Sequence, residues 1–285
     1  MAKELSAESH NEDIMGALNK QRRTNAKYCD VTLMAEDKQF NAHRSILAAS
    51  SVYFDTMFHS QMSEEFKAVI EIKSVSKQAM QDVVDFLYTN HVSLSIDNVE
   101  EVLHAASLMQ IQDLIRITIK YLSEEISPLN CLHFRQLGKL YSLEELVVKC
   151  NKCLLENFDE ISIQTQFNDL KADELGYLLS SDDITVSSEE ALYEALIRWV
   201  KHDLDTRKKH FPTLFQHLRL QLVAVDYLSK NIRKESLVRA SLDCRDLVED
   251  AFYFHVKPYM YEKERRRFGE QHEIMFVPLA RKNVV

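Results

Sequence analysis

The chain has 285 residues, of which 46% are hydrophobic and 28% charged, so it can form one large or two ordinary packed domains. Its 35 basic and 44 acidic residues give a net charge of −9, which disfavours binding to nucleic acid. No apolar run approaches the roughly 18–20 residues of a membrane helix, and the polar N-terminus lacks a secretory signal. We therefore expect an intracellular protein, in the cytoplasm with the nucleus as a second candidate compartment, that binds neither nucleic acid nor membrane.

Turn formers and catalytic motifs are both scarce in this sequence. Four glycines and four prolines predict a helix-dominated chain. They also exclude a β-propeller within these residues, because each blade needs several glycine-bearing hairpins. The patterns HExxH, GxSxG, GxxxxGK[ST] and GxGxxG do not occur, so we expect a non-catalytic protein without a cofactor.

The first 125 residues alternate short strands with helices, which indicates a small mixed α/β domain. A short amphipathic helix over residues 11–26 carries Ile14, Met15 and Leu18 on one face. Period-two alternation of apolar residues predicts the strands, and residues 43–60 are expected to hold two helices. The predicted strands cover residues 31–35, 39–41, 68–72 and 92–96.

The second half is predicted to be almost entirely helical. Pro128 disfavours helical geometry in the residue before it, so a boundary is expected near residues 127–130. Ser187 and Glu190 form a capping-box pattern, and Trp199 lies on the apolar stripe that follows. These patterns predict an all-helical domain over residues 129–260.

The five cysteines have no framework spacing, which predicts reduced thiols. Cys150 and Cys153 form a CxxC pair with Cys131 nearby in the sequence, but no second pair completes a four-ligand zinc site. We interpret these residues as buried or partly exposed thiols and predict no metal site, with a mixed metal site and a redox role as the alternatives.

Short motifs in the first half resemble a BTB/POZ domain, and those in the second half resemble a BACK domain. The first set is Cys29-Asp30-Val31, Phe40-Asn41-Ala42-His43-Arg44, Leu47-Ala48-Ala49-Ser50-Ser51, Tyr53-Phe54, Met57-Phe58 and Phe86-Leu87-Tyr88-Thr89. The second set is Asn130-Cys131-Leu132, Glu156-Asn157-Phe158, Leu178 to Asp183, Trp199 to Asp203 and Arg219-Leu220. Together they cover about residues 12–265 in the order of kelch-like proteins.

This resemblance implies an α/β BTB/POZ domain of short strands and clustered helices, followed by an all-α BACK domain. The implied boundaries are 12–125 for the BTB domain, 128–262 for the BACK domain and 263–285 for a tail. Gln221 and Val225 stand where the family commonly has prolines, which questions the local loop shape. The family's kelch propeller would begin near Val285, so the chain is interpreted as either a fragment or a shorter product.

The resemblance also implies a function: a substrate adaptor of a cullin-3 RING ubiquitin ligase, with the substrate unassigned. Met62-Ser63-Glu64 matches the apolar-x-acid motif by which such BTB domains bind cullin-3. An apolar anchor would supply burial, and a carboxylate would fix the register. The same surface is expected to include Phe58, Tyr88, Met109 and Gln110. The alternative interpretation of the triplet is an ordinary loop after a helix.

Two further sets of residues acquire roles from the resemblance. Ile14, Met15 and Leu18 would pack against a second copy, since BTB domains of this class dimerise through the first helix. Packing within the monomer is the alternative. Asp30 and Arg44 match a structural charged pair near the dimer interface. A second function class, a non-ligase cytoskeletal or transcriptional BTB scaffold, stays open.

Overall fold

The computed structural model describes residues 10–24, 26, 28–59, 68–256 and 283–284. Contacts divide the chain into two units. The first comprises residues 1–125 together with 139–146, and the second comprises residues 126–138 and 147–285. No helix in the described residues is long and apolar enough to cross a membrane.

A small sheet forms one part of the first unit. Among the described residues it has three strands, β1 (Val31–Ala35), β2 (Lys38–Ala42) and β3 (Val69–Glu71), in the order β2-β1-β3. β1 pairs antiparallel with β2 and parallel with β3. The tight turn between β1 and β2 includes Glu36 in the left-handed region, at φ 51°. Buried positions alternate along β1, as the period-two pattern of the sequence predicts.

Helices pack around this sheet and close its hydrophobic core. Ser76 caps one of them, α4, because its hydroxyl accepts a hydrogen bond from Ala79 N at 3.2 Å. The same helix ends at Asn90, which adopts the left-handed conformation typical of a helix C-terminus. The helices of this unit are α1 (His10–Thr24), α2 (Arg44–Ser50), α3 (Val52–His59), α4 (Lys77–Thr89), α5 (Val99–Leu108) and α6 (Gln112–Glu124).

The predicted strand over residues 92–96 is wrong. Residues 91–95 have no regular secondary structure. Val92 and Leu94 nevertheless pack against the core of the unit, so the apolar alternation reflects an extended segment that lies on the core without pairing to a strand. The side chain of Asn98 holds its end by accepting a hydrogen bond from Ser95 N at 2.8 Å.

Helices dominate the second unit, as predicted. They surround a second core that contains Trp199, whose indole Nε1 donates to the Leu170 carbonyl at 2.9 Å. From residue 131 on, the helices are α7 (Cys131–Leu140), α8 (Glu144–Glu156), α9 (Phe158–Ser162), α10 (Ala172–Ser180), α11 (Glu189–His202), α12 (Leu204–Arg207), α13 (Phe211–Phe215), α14 (Val225–Tyr227), α15 (Ser236–Ala240) and α16 (Leu242–Val256). The all-helical prediction needs one addition, a short parallel pairing of β4 (Thr185–Val186) with β5 (Asn283–Val284).

The start of α11 differs from the predicted capping box by one residue. Ser188, and not Ser187, is the cap, and its hydroxyl accepts from Ala191 N at 3.4 Å. Glu190 accepts a hydrogen bond from Ala224 N at 2.8 Å, in a distant segment. The acidic side chain expected to close the helix start instead joins it to another part of the unit.

Candidate functional site

The predicted cullin-binding triplet, Met62-Ser63-Glu64, lies outside the described residues, so its role stays a prediction. The described chain stops at His59, the last residue of α3, and resumes at Ala68 before β3. The surroundings of the site can still be built from α3 and from the elements that pack beside it.

A groove of about 360 Å³ lies in the first unit beside the start of α3. One wall is the junction of α2 and α3, and the other includes the C-terminal end of α4 and the turn between α5 and α6. Val52 is 60% exposed at the first wall. The groove therefore presents an accessible apolar side chain among polar ones. Its polar lining includes Ser50, Asp55, Asn90, Gln110 and Asp113.

Phe58 is partly buried on the face of α3 that contacts Phe54. The two rings stack with their centroids 6.0 Å apart and their planes inclined by 22°. The guanidinium carbon of Arg44 lies 4.6 Å from the centroid of the Phe58 ring, within the range of a cation–π contact. Phe58 is thus held in place by Phe54 and Arg44 while it keeps part of its surface accessible.

Gln110 is the most accessible of the flanking residues predicted from the sequence. It follows α5 in the left-handed conformation, at φ 51°, where glycine is usual. The turn is closed by hydrogen bonds from Gln110 N to the Ser107 carbonyl, at 3.2 Å, and from Ile111 N to the Ala106 carbonyl, at 2.9 Å. This is the bonding pattern of a Schellman motif, and it presents the Gln110 side chain to solvent at the groove.

Tyr88 and Met109 lie in the core, which corrects their expected place on the surface. The Tyr88 hydroxyl accepts from His43 N at 2.9 Å and lies 2.8 Å from His43 Nδ1. Burial raises the pKa of Tyr88 to about 12. Met109 has no exposed surface. Both side chains can affect a docking surface by supporting it from below, because the folded domain leaves them no area for direct contact.

The three residues predicted for the dimer interface have unequal exposure. Ile14 is 45% exposed, whereas Met15 and Leu18 are partly buried against the core of their own unit. For Met15 and Leu18, the structure therefore shows the alternative that was left open, packing within the monomer. A second copy could use the exposed Ile14 without displacing Met15 or Leu18, and the dimer contact stays a prediction.

The end of α1 is tied to α4 through charged side chains. Arg22 bonds to the carboxylate of Asp85, and Arg23 Nη2 reaches the same oxygen at 2.7 Å. Burial acts to raise the pKa of Asp85, but the hydrogen bonds from Arg23 and Arg22 outweigh it, so the pKa is lowered. The Arg22 guanidinium also lies 4.7 Å from the centroid of the Tyr88 ring.

Asp30 and Arg44 interact, but their contact differs from the predicted ion pair. Asp30 Oδ1 accepts a hydrogen bond from the backbone N–H of Arg44 at 2.8 Å, at the start of α2. The Arg44 guanidinium instead covers Phe58. The pair is therefore corrected to a carboxylate that binds a helix N-terminus, where the helix dipole favours negative charge.

The cysteines of the second unit are core thiols with little ionic character. Cys131 and Cys150 are buried, and Cys153 is partly buried. Burial raises the pKa of both Cys131 and Cys150 to about 12, which keeps them protonated near neutral pH. These environments agree with the structural interpretation of the CxxC pair.

Comparison with known proteins assigns both halves of the chain. The sequence profile of the BTB/POZ domain matches residues 18–126, and that of the BACK domain, "BTB And C-terminal Kelch", matches residues 131–233. Kelch-like protein 2 from Homo sapiens is 36% identical over 230 residues. The chain is a BTB–BACK protein of the kelch-like family. The sequence patterns had identified the same two domains, whereas the exact boundaries 12–125 and 128–262 stay predictions.

The kelch-like relatives are considerably longer than this BTB–BACK chain. The match to kelch-like protein 2 from Homo sapiens covers 81% of this chain and 39% of the relative. Kelch-like protein 3 from Bos taurus is 36% identical over 236 residues, with 83% of this chain and 40% of the relative covered. The chain thus spans about two fifths of the length of these relatives.

Among solved structures, two isolated BTB domains are similar to part of this chain. The BTB domain of zebrafish PATZ1 is 25% identical, with a TM-score of 0.40, and the match covers 44% of this chain and 100% of that one. The BTB domain of human gigaxonin is 24% identical, with a TM-score of 0.38, and the match covers 42% and 98% of the two chains.

Sequence reasoning missed several residues that build the groove. Ser51 ends one of the motifs that supported the family assignment, and Val52 lies between that motif and the next, but neither residue received a role of its own. Asn90 follows α4 in the left-handed conformation at the groove lining. A serine between two helical segments is an N-cap signal that could have identified Ser51 from the sequence.

Proposed function

We propose that this BTB–BACK protein is a non-catalytic adaptor that docks cullin-3 on its BTB domain and so recruits a ubiquitin ligase to a protein substrate. The observation that carries the proposal is the domain pair itself, in kelch-like order, together with an accessible groove at the start of α3. The predicted motif Met62-Ser63-Glu64 begins three residues after His59, the last residue of α3.

The groove has the chemistry of a protein docking surface. Val52 offers apolar area at one wall, while Gln110 offers hydrogen-bonding groups at the other. Asp55 and Asp113 add negative charge to the lining. Interfaces of this kind gain affinity from a few buried anchors, and the surrounding polar groups set specificity.

The mechanism of such an adaptor is proximity. Bound cullin-3 would bring the RING partner and the charged conjugating enzyme to a substrate held by the same assembly. A tethered reactant has a high effective concentration, so the transfer of ubiquitin to a substrate lysine accelerates without a catalytic residue in this chain. A dimer formed through Ile14 would place two such assemblies together.

Binding of purified cullin-3 to the 285-residue chain, measured by calorimetry, tests the proposal. Replacement of both Met62 and Glu64 by alanine should weaken binding at least thirtyfold, which corresponds to about 2 kcal/mol for a buried anchor. The matched control is Val69→Ala/Glu71→Ala. It removes the same apolar-x-acid pattern from β3, where both side chains are exposed, and should change affinity less than twofold.

Two outcomes would contradict parts of this proposal. Absence of cullin-3 binding by the wild-type chain would exclude the adaptor function and favour a non-ligase scaffold. Equal binding by wild type and by the Met62→Ala/Glu64→Ala variant would remove the docking role from the triplet.

Light scattering tests the proposed homodimer independently of cullin-3. The wild-type chain should have twice its monomer mass of 33.2 kDa at micromolar concentration. Ile14→Asp should shift it to the monomer, because a charge would be buried in the interface. A wild-type monomer at this concentration would contradict the dimer.

A further inference from the structure

The hydroxyl of Ser51 joins two segments that are far apart in the sequence. Ser51 lies between α2 and α3 in extended conformation and is 3% exposed. Its Oγ donates to the carbonyl oxygen of Met109 at 2.6 Å and accepts from Phe54 N at 3.1 Å. Phe54 is the third residue of α3, which begins at Val52, so the second bond is an N-cap of that helix.

Both partners of this hydroxyl are core residues close in sequence to residues that line the groove, since Phe54 precedes Asp55 and Met109 precedes Gln110. The bond to Phe54 N fixes the first turn of α3, which carries the exposed Val52. The bond to the Met109 carbonyl holds the residue immediately before Gln110. One buried side chain thus sets the distance between the apolar wall and the polar wall.

The wall that contains Gln110 has a physical reason to need this contact. A residue other than glycine at φ 51° is disfavoured by about 1 kcal/mol or more, because its Cβ approaches the following carbonyl oxygen. The packing of Met109 in the core and its hydrogen bond from Ser51 both oppose relaxation of this turn.

We propose that Ser51 is a positioning residue for partner docking, which holds the Gln110 turn and the start of α3 at the separation that the bound partner requires. The inference rests on the proposed function for the identity of that partner. It assigns a role to a residue that lines the groove but is only 3% exposed, and whose hydroxyl is already engaged by both hydrogen bonds.

The test compares two buried hydroxyl groups of the same domain in the 285-residue chain. Ser51→Ala removes the bridging contact. Thr118→Ala removes an equally buried hydroxyl that bonds within α6, from Oγ1 to the Leu114 carbonyl at 2.8 Å. Ser51→Ala should weaken cullin-3 binding about tenfold, the scale of a lost buried hydrogen bond. Thr118→Ala should stay within twofold of wild type.

A double-mutant cycle separates positioning from general destabilisation. If Ser51 acts through the turn, the Ser51→Ala/Gln110→Ala variant should bind only slightly more weakly than Ser51→Ala, because the two losses overlap. Amide hydrogen exchange without any partner should be faster at residues 109–111 in Ser51→Ala and unchanged there in Thr118→Ala. Ser51→Cys, which nearly preserves the volume, replaces Ser51→Ala if alanine prevents folding.

The outcomes distinguish failure of the positioning role of Ser51 from failure of the proposed adaptor function. Loss of affinity in Gln110→Ala, with wild-type affinity in Ser51→Ala, would overturn the positioning role and leave the adaptor function intact. Equal weakening by Ser51→Ala and Thr118→Ala would also overturn it. Failure of the wild-type chain to bind cullin-3 would overturn the proposed function and the docking role together.

Discussion

The BTB and BACK domains use different chemistry to fix their helices. In the BTB domain, α1 is held to α4 by Asp85, whose side chain is 25% exposed, and the start of α3 is held by the buried neutral hydroxyl of Ser51. In the BACK domain, the carboxylates that hold the helices are less exposed, and the Glu174 side chain, at 11%, is the more accessible of the two examples. Glu189 is 4% exposed and accepts from Arg219 N at 2.7 Å, while Glu174 pairs with Arg135 at 3.1 Å.

This difference indicates which substitutions should change the stability of the fold and which should change the binding surface. A buried carboxylate that loses its partner, or is removed from a buried donor, costs folding free energy directly. A hydroxyl beside an accessible groove has a smaller cost for folding but controls the shape of a surface. We therefore expect substitutions in the BACK network to lower stability, and those around Ser51 to lower affinity more than stability.

The largest effect should come from Glu189→Ala in the BACK domain. Loss of the carboxylate leaves the Arg219 amide without its acceptor in a buried site, which should lower the free energy of unfolding by about 3 kcal/mol. Urea denaturation measures it. Glu249→Ala, at an exposed position on α16, is the control. A change below about 1 kcal/mol for Glu189→Ala would contradict the expectation that the BACK carboxylates mainly serve stability.

Asp85→Asn should have the next largest effect, and one that depends on pH. Because the folded-state pKa is lowered, the contact contributes stability above the ordinary aspartate pKa and loses it as pH falls through the folded-state value. The variant should be about 1–2 kcal/mol less stable than wild type at pH 7. Denaturation from pH 7 to pH 3 should show the difference shrinking, and a difference that grows on acidification would contradict the assigned contact.

Gln110→Gly should stabilise the BTB domain while it weakens cullin-3 binding. Glycine adopts the left-handed conformation without the Cβ penalty, which should add about 1 kcal/mol to the free energy of unfolding. Thermal unfolding and calorimetry on one preparation would record the two opposite changes. A variant less stable than wild type would show that the turn is not strained.

Gly16→Ala should produce the smallest effect and bears on the dimer. A Cβ at this position in α1 would meet no atom within 4 Å in the single chain. Alanine should therefore stabilise the helix by about 0.5–1 kcal/mol. Thermal unfolding at two protein concentrations distinguishes a Gly16 that faces solvent from one that faces a second copy. A destabilising effect confined to the higher concentration would place this side of α1 against a second copy.

Sequence patterns predicted the elements where burial follows a regular period. The alternation over residues 31–35 corresponds to β1, and the helical periodicity after residue 129 corresponds to the BACK helices. The same rule failed over residues 92–96, because an extended segment can bury alternate side chains without a neighbouring strand. Periodicity reports which side is buried, and the hydrogen-bond partner has to come from the fold.

The candidate site was less predictable than the fold. The family pattern placed Tyr88 and Met109 together with Phe58 and Gln110, but it could not distinguish a surface from the core beneath it. Tyr88 and Met109 are buried, whereas Gln110 is exposed one residue beyond Met109. The chain passes from the core to the surface at the left-handed turn of Gln110, and glutamine is not a residue type that predicts such a turn from the sequence.

The sequence by itself determined the family, the order of the two domains and the helical character of the second, because these depend on local periodicity and on motifs in fixed order. Tertiary structure alone decided that Asp30 binds the backbone of Arg44, that Glu190 reaches Ala224, and that the Ser51 hydroxyl bridges to Met109. Each of these contacts joins segments at least fourteen residues apart. Their geometry depends on how the whole chain packs, and no local pattern encodes that packing.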